Sequence, residues 1–574
     1  MSRLLDRARR ILPAAPDDGA SVRSSRPAII AGLVGCALMI VSAFLPWTYN
    51  PALLDDLTVY GYPAPTQLML IALAVLGLVM IGLRTPRADR WRRLFGRQSG
   101  LRRLGVGAVA FVLVVMAAIA LQDAAMVAAL DPGAWIALAG AAAVAVAGRL
   151  LPADQHLIER HRRFPAWIEI LVIVALVGLA LAGAAYGLGL SDGALLVVFM
   201  AFVGASAAGL AGGGVFDWLA IVAAHHRQVL LLSAFVAAIA FPLTQNGSDA
   251  NMSIATNVLI FAATAMGLNI VVGLAGLLDL GYIAFLGAGA YVGAMLSESV
   301  FATIGWKPPF LLTVLLGACF SALLGLIIGS PTLRVSGDYL AIVTLAFGEI
   351  FRLAMFNLDG TNGPNLTNGP NGIGAIPELQ VGGFDFGETH SIAGFDITRY
   401  ANYYLLLLLV IAFIILVFTR LNSSRIGRGW VAIREDEKAA EAMGVNVFGL
   451  KLLAFAGGAF LAGMAGTIKA HADTAVSPDQ YQFLESAFLL AAVVLGGMGT
   501  VGGVLVGAVI LKLLPEKLRF FSENRLLLFG LLLVLMMRFR PEGLVASKRR
   551  RLEFHEDDTE LAEKVEHVHL EEVK

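Results

Sequence analysis

The sequence predicts an all-α polytopic membrane protein with about 14–16 transmembrane or re-entrant helices. The chain of 574 residues is 58% hydrophobic and only 15% charged, which is more apolar than a typical soluble protein. Apolar runs of about 20 residues recur along it, long enough to cross a hydrocarbon core of about 30 Å. The runs are continuous, whereas a transmembrane β-barrel would show short segments of alternating polarity.

Sixteen apolar segments are candidate spans, and their ends are predicted to within a few residues. The first is too long for the core of a signal peptide, so we interpret it as a retained span. The pair 484–497 and 500–514 is short, and its members could instead be half-helices of one re-entrant element. The segments are 28–48, 66–84, 104–122, 134–149, 166–188, 192–212, 228–243, 253–276, 280–299, 309–330, 338–357, 402–420, 451–472, 484–497, 500–514 and 524–538.

Short loops rich in Lys and Arg predict the orientation, because such loops stay in the cytoplasm. The loops 84–103, 149–163 and 225–228 are basic, whereas 50–65 and 245–253 carry no Lys or Arg. We therefore expect a multi-pass protein of the bacterial plasma (inner) membrane with both termini in the cytoplasm.

A change in composition suggests three parts. Residues 1–227 are predicted to form an N-terminal transmembrane extension, and residues 228–545 hold nearly all the patterned glycines and in-membrane polar residues. Within the second part, 358–401 is rich in Gly, Asn and Pro, which favours an external loop of turns, and 421–450 is a cytoplasmic loop. Residues 546–574 are a charged cytoplasmic tail.

Several classes of function have no support in the residues. The formal net charge is zero, which gives no argument for nucleic-acid binding. The two cysteines, Cys36 and Cys319, lie in apolar runs, so buried, unreactive thiols are expected and no metal or disulfide pattern exists. The chain contains no phosphate-binding loop of the type G-x-x-x-x-G-K-[ST], and no H-E-x-x-H, C-x-x-C or G-x-S-x-G, so neither ATP hydrolysis nor intramembrane catalysis has an obvious site.

The stretch AIREDEKAAEAMG, residues 432–444, is unusually charged for this chain. It predicts a short cytoplasmic helix with a small apolar edge, ended by Gly444 because glycine readily takes the left-handed conformation. Such a helix can enter a groove on a soluble partner. A solvated loop helix without a partner is the alternative.

Glycines cluster in 267–293, and a shorter cluster occurs at 494–503. Small residues let helices touch closely in lipid. Gly273 and Gly276, followed by Asp279, also indicate a broken helix, and in transporters broken helices expose backbone groups along the path. Tight helix packing with an interfacial Asp279 is the alternative.

Glu349 and Arg352 lie three residues apart and share a helix face. Ionisable groups inside a span usually face a cavity or a partner. A structural ion pair near the outer interface is the alternative interpretation.

Six segments in order resemble the membrane permease of branched-chain amino-acid ABC importers, the LivM type. They are GLNIVVGLAGLLDLGYIAFLGAGAYVGAML, LRVSGDYLAIVTLAFGEIFRL, NGPNGI, NSSRIGRGWVAIREDEKAAEAMG, LAAVVLGGMGTVGG and RPEGL. The resemblance as a whole runs in order from about Leu230 to Leu544. In that family the loop that corresponds to residues 421–450, which we call the charged loop, carries a coupling helix. Its motif has Glu-Ala-Ala followed by Gly, and here Lys438 stands where Glu is usual while Glu437 sits one position earlier.

The resemblance implies a machine in which this chain forms the translocation path. It implies a second permease subunit, two ATP-binding cassette subunits that hold ATP and Mg, and an external substrate-binding protein, with membrane lipid around the spans. It implies no catalytic residue, metal or cofactor in this chain. The coupling residues would be Arg434, Glu435, Glu437, Ala439, Ala440 and Gly444, and the path residues Gly273, Gly276, Asp279, Tyr282, Glu349, Gly496 and Gly497.

Three alternatives stay open. The same architecture could import urea, amides or other amino acids. A secondary transporter would work without an ATPase and would leave the charged loop unexplained. An intramembrane enzyme would need a clustered acid/base or metal site.

Overall fold

The structure is a computed structural model of the whole chain, and it describes residues 26–51, 53–83, 98–123, 126–151, 164–190, 192–332, 339–361, 363–392, 395–517, 525–539 and 543–545. The predicted tail 546–574 lies outside the described residues. So do most of the basic loops 84–103 and 149–163 on which the orientation depends.

The prediction of an all-α polytopic protein is confirmed. In the described part of the chain, eleven helices are long and apolar enough to cross a membrane, and four further apolar helices are shorter. Each of the sixteen predicted segments coincides with a helix. Among the described residues, five of these helices have only 13–17 residues and are shorter than a full span.

The chain separates into two compact units, Met1–Ala238 and Ile239–Lys574. The helices that begin in the first unit are α1 Arg26–Ser42, α2 Pro65–Gly82, α3 Gln98–Gln122, α4 Pro132–Leu150, α5 Ala166–Gly189, α6 Gly193–Gly213, α7 Val215–His225 and α8 Arg227–Ala240. The sequence reading did not predict α7, which follows α6 after the single residue Gly214.

Small residues bring the helices of the first unit together. A Cβ at Gly35 of α1 would lie 2.7 Å from the carbonyl oxygen of Gly140 in α4, and one at Gly105 of α3 would lie 2.5 Å from the backbone of Ala145. Such contacts leave room for backbone but not for side chains. Cys36 is buried in this core as expected, whereas Cys319 in the second unit is exposed.

The second unit contains eleven helices among its described residues. They are α9 Asp249–Leu268, α10 Ile283–Met295, α11 Phe310–Thr332, α12 Tyr339–Asn357, α13 Arg399–Ser423, α14 Arg425–Glu435, α15 Glu437–Ala442, α16 Val447–Asp473, α17 Phe483–Gly496, α18 Val501–Lys517 and α19 Arg525–Phe539. Its strands form two hairpins, β1 Gln380–Val381 with β2 Phe384–Asp385 and β3 His390–Ile392 with β4 Phe395–Ile397.

Helix α9 is the central helix of the second unit. When its continuation to Leu274 is included, 89% of its apolar 18-residue stretch is buried. The corresponding share is 11–50% for the other ten long helices of the described chain. It continues through a π-helical turn, Asn269–Leu274, and a non-helical stretch then leads to α10. Because π-turns often mark functional sites, this helix break is a candidate functional site.

The long loop after α12 is more tightly packed than its composition suggested. Ile373 is buried and exchanges two backbone hydrogen bonds of 2.9 Å with Val476. Glu378 forms an ion pair with Arg399 at 2.5 Å and accepts a hydrogen bond from Tyr403 at 2.9 Å. The loop is therefore fixed to the starts of α13 and the 3₁₀ turn Pro478–Tyr481.

Helices α17 and α18 form a tight antiparallel hairpin. A Cβ at Gly503 would lie 2.8 Å from the carbonyl carbon of Gly496, and one at Gly507 would lie 3.0 Å from that of Ala492. Because α17 has 14 residues, it is about 21 Å long at 1.5 Å per residue and is too short to cross a bilayer. This geometry favours the alternative of one re-entrant element for 484–514.

Candidate functional site: the charged loop and the glycine breaks

The charged loop folds into two short helices, and the first is amphipathic. Ser424 caps α14 by accepting a hydrogen bond from the backbone N–H of Gly427 at 3.2 Å, a role that Ser favours. Trp430 is 1% exposed, and its Nε1 donates to the Leu450 carbonyl at 2.7 Å. Helix α14 is thereby fixed to the start of α16.

The second helix, α15, is short and outward-facing. Asp436 caps it by accepting a hydrogen bond from the backbone N–H of Ala439 at 2.9 Å. It ends at Ala442, and Gly444 has a φ of +82° with open space around it. The glycine stop predicted from the sequence is confirmed, because this conformation strains other residues.

The predicted coupling residues fall on different sides of this loop. Glu435, Glu437, Ala439 and Gly444 are exposed, whereas Ala440 is buried. Met443, beside Gly444, is 84% exposed. Among the exposed ones, Glu437 also forms an ion pair of 2.6 Å with Lys451 of α16, which fixes α15 to the same helix that holds α14.

Arg434 lies on the buried side of the charged loop. It is half-buried, and its Nη1 donates a hydrogen bond of 2.6 Å to the carbonyl oxygen of Gly273. Gly273 belongs to the π-turn at the end of α9. The structure thus joins one predicted coupling residue to one predicted path residue, 161 positions apart in the chain.

The two glycine clusters meet at the same place. Asn269 accepts a hydrogen bond from the backbone N–H of Gly499 at 2.8 Å, and its Nδ2 lies 3.4 Å from the Thr500 carbonyl. A Cβ at Gly273 would lie 2.6 Å from the Gly499 nitrogen. The predicted residues Gly496 and Gly497 end α17 next to this contact.

We call the non-helical stretch 275–282, between the π-turn and α10, the break. Asp279 and Tyr282 lie in it and are almost completely buried, at 1% and 0% exposure. Asp279 Oδ1 accepts from the Gly281 N–H at 2.9 Å. The Thr344 side chain also interacts with this carboxylate, although Oδ2 makes no well-aligned hydrogen bond among the described residues. Tyr282 donates to the Gly458 carbonyl at 2.6 Å. A buried carboxylate with so few hydrogen bonds is costly, which makes Asp279 a candidate to receive a cationic group.

Glu349 has a different environment. It pairs with Arg352 at 2.6 Å, and Arg352 also reaches Asp479 at 3.3 Å. Helix α12 instead approaches the break through Thr344, whose Oγ1 accepts from the Leu280 N–H at 3.1 Å. The ion-pair alternative for Glu349 is the one that this geometry favours.

Aromatic rings continue from the break along α10 and α12. Successive ring centroids lie 5.5 Å apart for Tyr282–Phe285, 5.6 Å for Phe285–Phe347 and 6.5 Å for Phe347–Phe351. Tyr291 then joins Phe351 to Tyr481 at 6.3 and 6.1 Å. We call these six rings the aromatic column. All of them except Phe347 are buried, and the first, Tyr282, follows Asp279 by three positions.

Sequence reasoning missed several residues of this site. Asn269 bridges the two glycine clusters, and Ser486 accepts a hydrogen bond from the Ile283 N–H at 3.0 Å at the start of α10. A polar residue within an apolar run was the available signal for both, since such residues in spans are usually functional. Nothing in the sequence indicated which backbone groups they meet.

The fold and the site together define a polytopic α-helical membrane protein whose core is built on broken, glycine-rich helices. Comparison with known proteins gives the family. Residues 250–537 match the family described as "Branched-chain amino acid transport system / permease component", which is half of the chain, and the chain belongs to this family.

Named relatives agree with this assignment. The high-affinity branched-chain amino acid transport system permease protein LivM of Salmonella typhimurium is 39% identical over 340 residues, covering 57% of this chain and 76% of the relative. LivM of Escherichia coli K12 is 38% identical with the same coverage. LivH of Escherichia coli K12 is 24% identical over 293 residues, covering 50% of this chain and 91% of the relative. No solved structure matches the chain.

The resemblance to the LivM type drawn from the motifs is therefore confirmed. The match of 250–537 lies within the second structural unit. That unit also holds the charged loop, both glycine clusters and the aromatic column.

Proposed function

We propose that the chain is the membrane permease subunit of an ATP-driven importer of branched-chain amino acids. The observation that carries this proposal is the arrangement of the charged loop. Helix α15 offers an exposed edge ending in Met443 and Gly444, while Arg434 at the end of α14 contacts the break of α9. The loop thus has one side for a soluble partner and another side on the candidate path.

The partners follow from this arrangement and from the family. ATP and Mg are held by two ATP-binding cassette subunits, one of which docks on α15 of this chain. This chain is therefore not itself an enzyme. LivM and LivH are both named permease proteins of such systems, which supports a second permease subunit beside this one. An external binding protein delivers the substrate.

The mechanism is alternating access. Closure of the ATP-bound partner dimer moves the charged loops and changes which end of the path is open, and hydrolysis resets the state. This is a two-state equilibrium shifted by a ligand bound to another chain.

The cargo is supported by the chemistry near the break. A branched-chain amino acid is a zwitterion with an apolar side chain. The aromatic column is an apolar wall that is packed in the core in this state, so a movement of the helices would have to expose it to an apolar side chain. The incompletely hydrogen-bonded carboxylate of Asp279 suits an ammonium group.

Docking on α15 is tested by purifying the tagged chain from its native membrane in mild detergent. Wild type is expected to bring down ATP-binding subunits, and Gly444→Asp is expected to lose them, because it adds charge and bulk to an exposed surface. Gly444→Asn is the matched control, since Asn tolerates the left-handed conformation better than other residues and adds no charge. Equal recovery with Gly444→Asp would contradict docking at this position.

The cargo is tested by uptake into proteoliposomes that contain the purified complex and its binding protein. Uptake of labelled leucine should require ATP and should be reduced by unlabelled isoleucine and valine. Competition by urea or amides instead would assign the same architecture to another cargo. Uptake without ATP would favour a secondary transporter.

A further inference from the structure

Arg434 occupies the point where the charged loop meets the core of the second unit. It lies in the last turn of α14, two residues before Asp436, which caps α15. Its neighbours Glu435 and Asp436 are exposed, whereas Arg434 is half-buried. Its guanidinium donates to the Gly273 carbonyl at 2.6 Å.

The Gly273 carbonyl is available because of the π-turn. The N–H groups of Ala275 and Leu277 bond instead to the carbonyls of Ile270 and Val271. Carbonyls at a helix end lack intrahelical donors and carry partial negative charge. A guanidinium is well suited to this position because its hydrogen bonds are charge-assisted.

The α17–α18 hairpin completes the contact. A Cβ at Gly499 would lie 3.4 Å from the Gly273 oxygen and 4.0 Å from Arg434 Nη1. On the other side, a Cβ at Gly276 would lie 2.8 Å from Arg434 Cγ. Arg434 therefore lies between both glycine clusters. A Cβ would be crowded against it at Gly276 but would make only ordinary contacts at Gly499.

Two contacts connect Arg434 and the docking helix α15 to the same part of the structure. Trp430 fixes α14 to Leu450, and Glu437 fixes α15 to Lys451, so both helices are held to the first turn of α16. Ala439 on the exposed helix is only five positions after Arg434. A displacement of α15 consequently displaces Arg434 with it.

We propose that Arg434 is a positioning residue that transmits the movement of the docking helix α15 to the glycine breaks of the path and does not itself contact the ATP-binding subunits. This rests on the proposed function. It divides the charged loop into a docking side, α15 with Gly444, and a transmission side, Arg434. Changes on the docking side should prevent binding of the ATP-binding subunits. Changes at Arg434 should leave these subunits bound but uncouple ATP hydrolysis from import.

The test uses the complete complex in proteoliposomes and measures ATP hydrolysed per leucine imported. With Arg434→Gln the ATP-binding subunits should still co-purify, and the ratio should rise at least about tenfold because hydrolysis no longer drives import. Arg434→Lys, which restores the charge with a single donor group, should recover part of the coupling. Arg428→Gln is the matched control, since Arg428 is an exposed arginine of the same helix, and it should keep the wild-type ratio.

Two results would overturn the proposal. One is an unchanged ratio with Arg434→Gln, including one produced by an equal fall of hydrolysis and import, and the other is loss of the ATP-binding subunits from that variant. A wild-type complex that does not assemble, or that imports without ATP, would instead refute the proposed function.

A distance measurement keeps the proposal testable if the variant is poorly folded. Spin labels at Glu441→Cys and Gly502→Cys, both exposed positions, report on α15 and the hairpin in a background where Cys319 is replaced by alanine. In the wild-type arrangement one narrow distance distribution should persist with and without ATP, because Arg434 ties the charged loop to the π-turn after α9 and Asn269 ties that π-turn to the hairpin. A distribution that shifts on ATP binding would mean that α15 slides past the hairpin, and it would overturn the proposal.

Discussion

At the scale of single residues, Asp279 illustrates how burial turns an ordinary side chain into a candidate site. One of its oxygens holds the turn at Gly281, and the carboxylate also interacts with the Thr344 side chain, while Oδ2 makes no well-aligned hydrogen bond among the described residues. The sequence predicted a helix break at this residue but left tight packing as an alternative. The incomplete hydrogen bonding of Oδ2 favours a role on the path, because a purely structural carboxylate would be expected to use both oxygens fully.

We expect Asp279→Asn to fold normally and to reduce leucine uptake by at least about tenfold, since in-span carboxylates are usually functional. The amide oxygen can still accept the Gly281 hydrogen bond, so the turn is kept while the charge is removed and one acceptor oxygen becomes an NH2 donor. Uptake and the amount of folded protein in the membrane are measured together. Asp385→Asn is the control, because Asp385 makes the same type of bond to Gly387 at 2.8 Å in the exposed hairpin. Full uptake with Asp279→Asn would limit Asp279 to holding the turn.

At the scale of elements, the α17–α18 hairpin depends on glycine at particular positions. Gly503 faces Gly496 with no space for a Cβ, whereas its neighbour Gly502 has open space. The same cluster, VLGGMGTVGG, thus contains glycines that are required for packing and others that are not.

Gly503→Ala should destabilise the protein by about 1–3 kcal/mol, the usual cost of overpacking. Gly502→Ala should leave stability unchanged or raise it slightly, because alanine is the better helix former. Thermal inactivation in detergent, followed by size-exclusion chromatography, compares the two variants. Equal stability of the pair would contradict the close packing of the hairpin.

At the scale of the whole molecule, the orientation of the chain decides which face meets which partner. The proposed function needs the loop with α15 in the cytoplasm and the loop after α12 outside, as the Lys/Arg bias predicts. Both loops contain exposed positions, Glu441 in α15 and Thr361 after α12. These positions allow the orientation to be measured directly.

In intact spheroplasts, a membrane-impermeant thiol reagent should label Thr361→Cys, and it should label Glu441→Cys only after permeabilisation. Cys319 is replaced by alanine beforehand because it is exposed, whereas Cys36 is buried. Labelling of Glu441→Cys in intact spheroplasts would invert the topology and remove the basis for docking at α15.

The sequence could predict the helices and most of the candidate residues because both depend on local pattern. An apolar run of about 20 residues is a span wherever it occurs, and each predicted segment coincides with a helix. The glycine stop at Gly444 and the break after Gly273 are equally local. The extra helix α7 was missed because only Gly214 separates it from α6, and the apolar pattern continues across that residue.

Amino-acid sequence by itself thus determined the class of the protein, its family motifs and the positions where helices end. Only the tertiary structure decided which of these positions act together. Arg434 meets Gly273 across 161 positions, and Asn269 meets Gly499 across 230, while Glu349 pairs with Arg352 instead of joining the break. Periodicity fixes which residues share a face of one helix, but contacts between distant helices depend on packing, which local pattern does not encode.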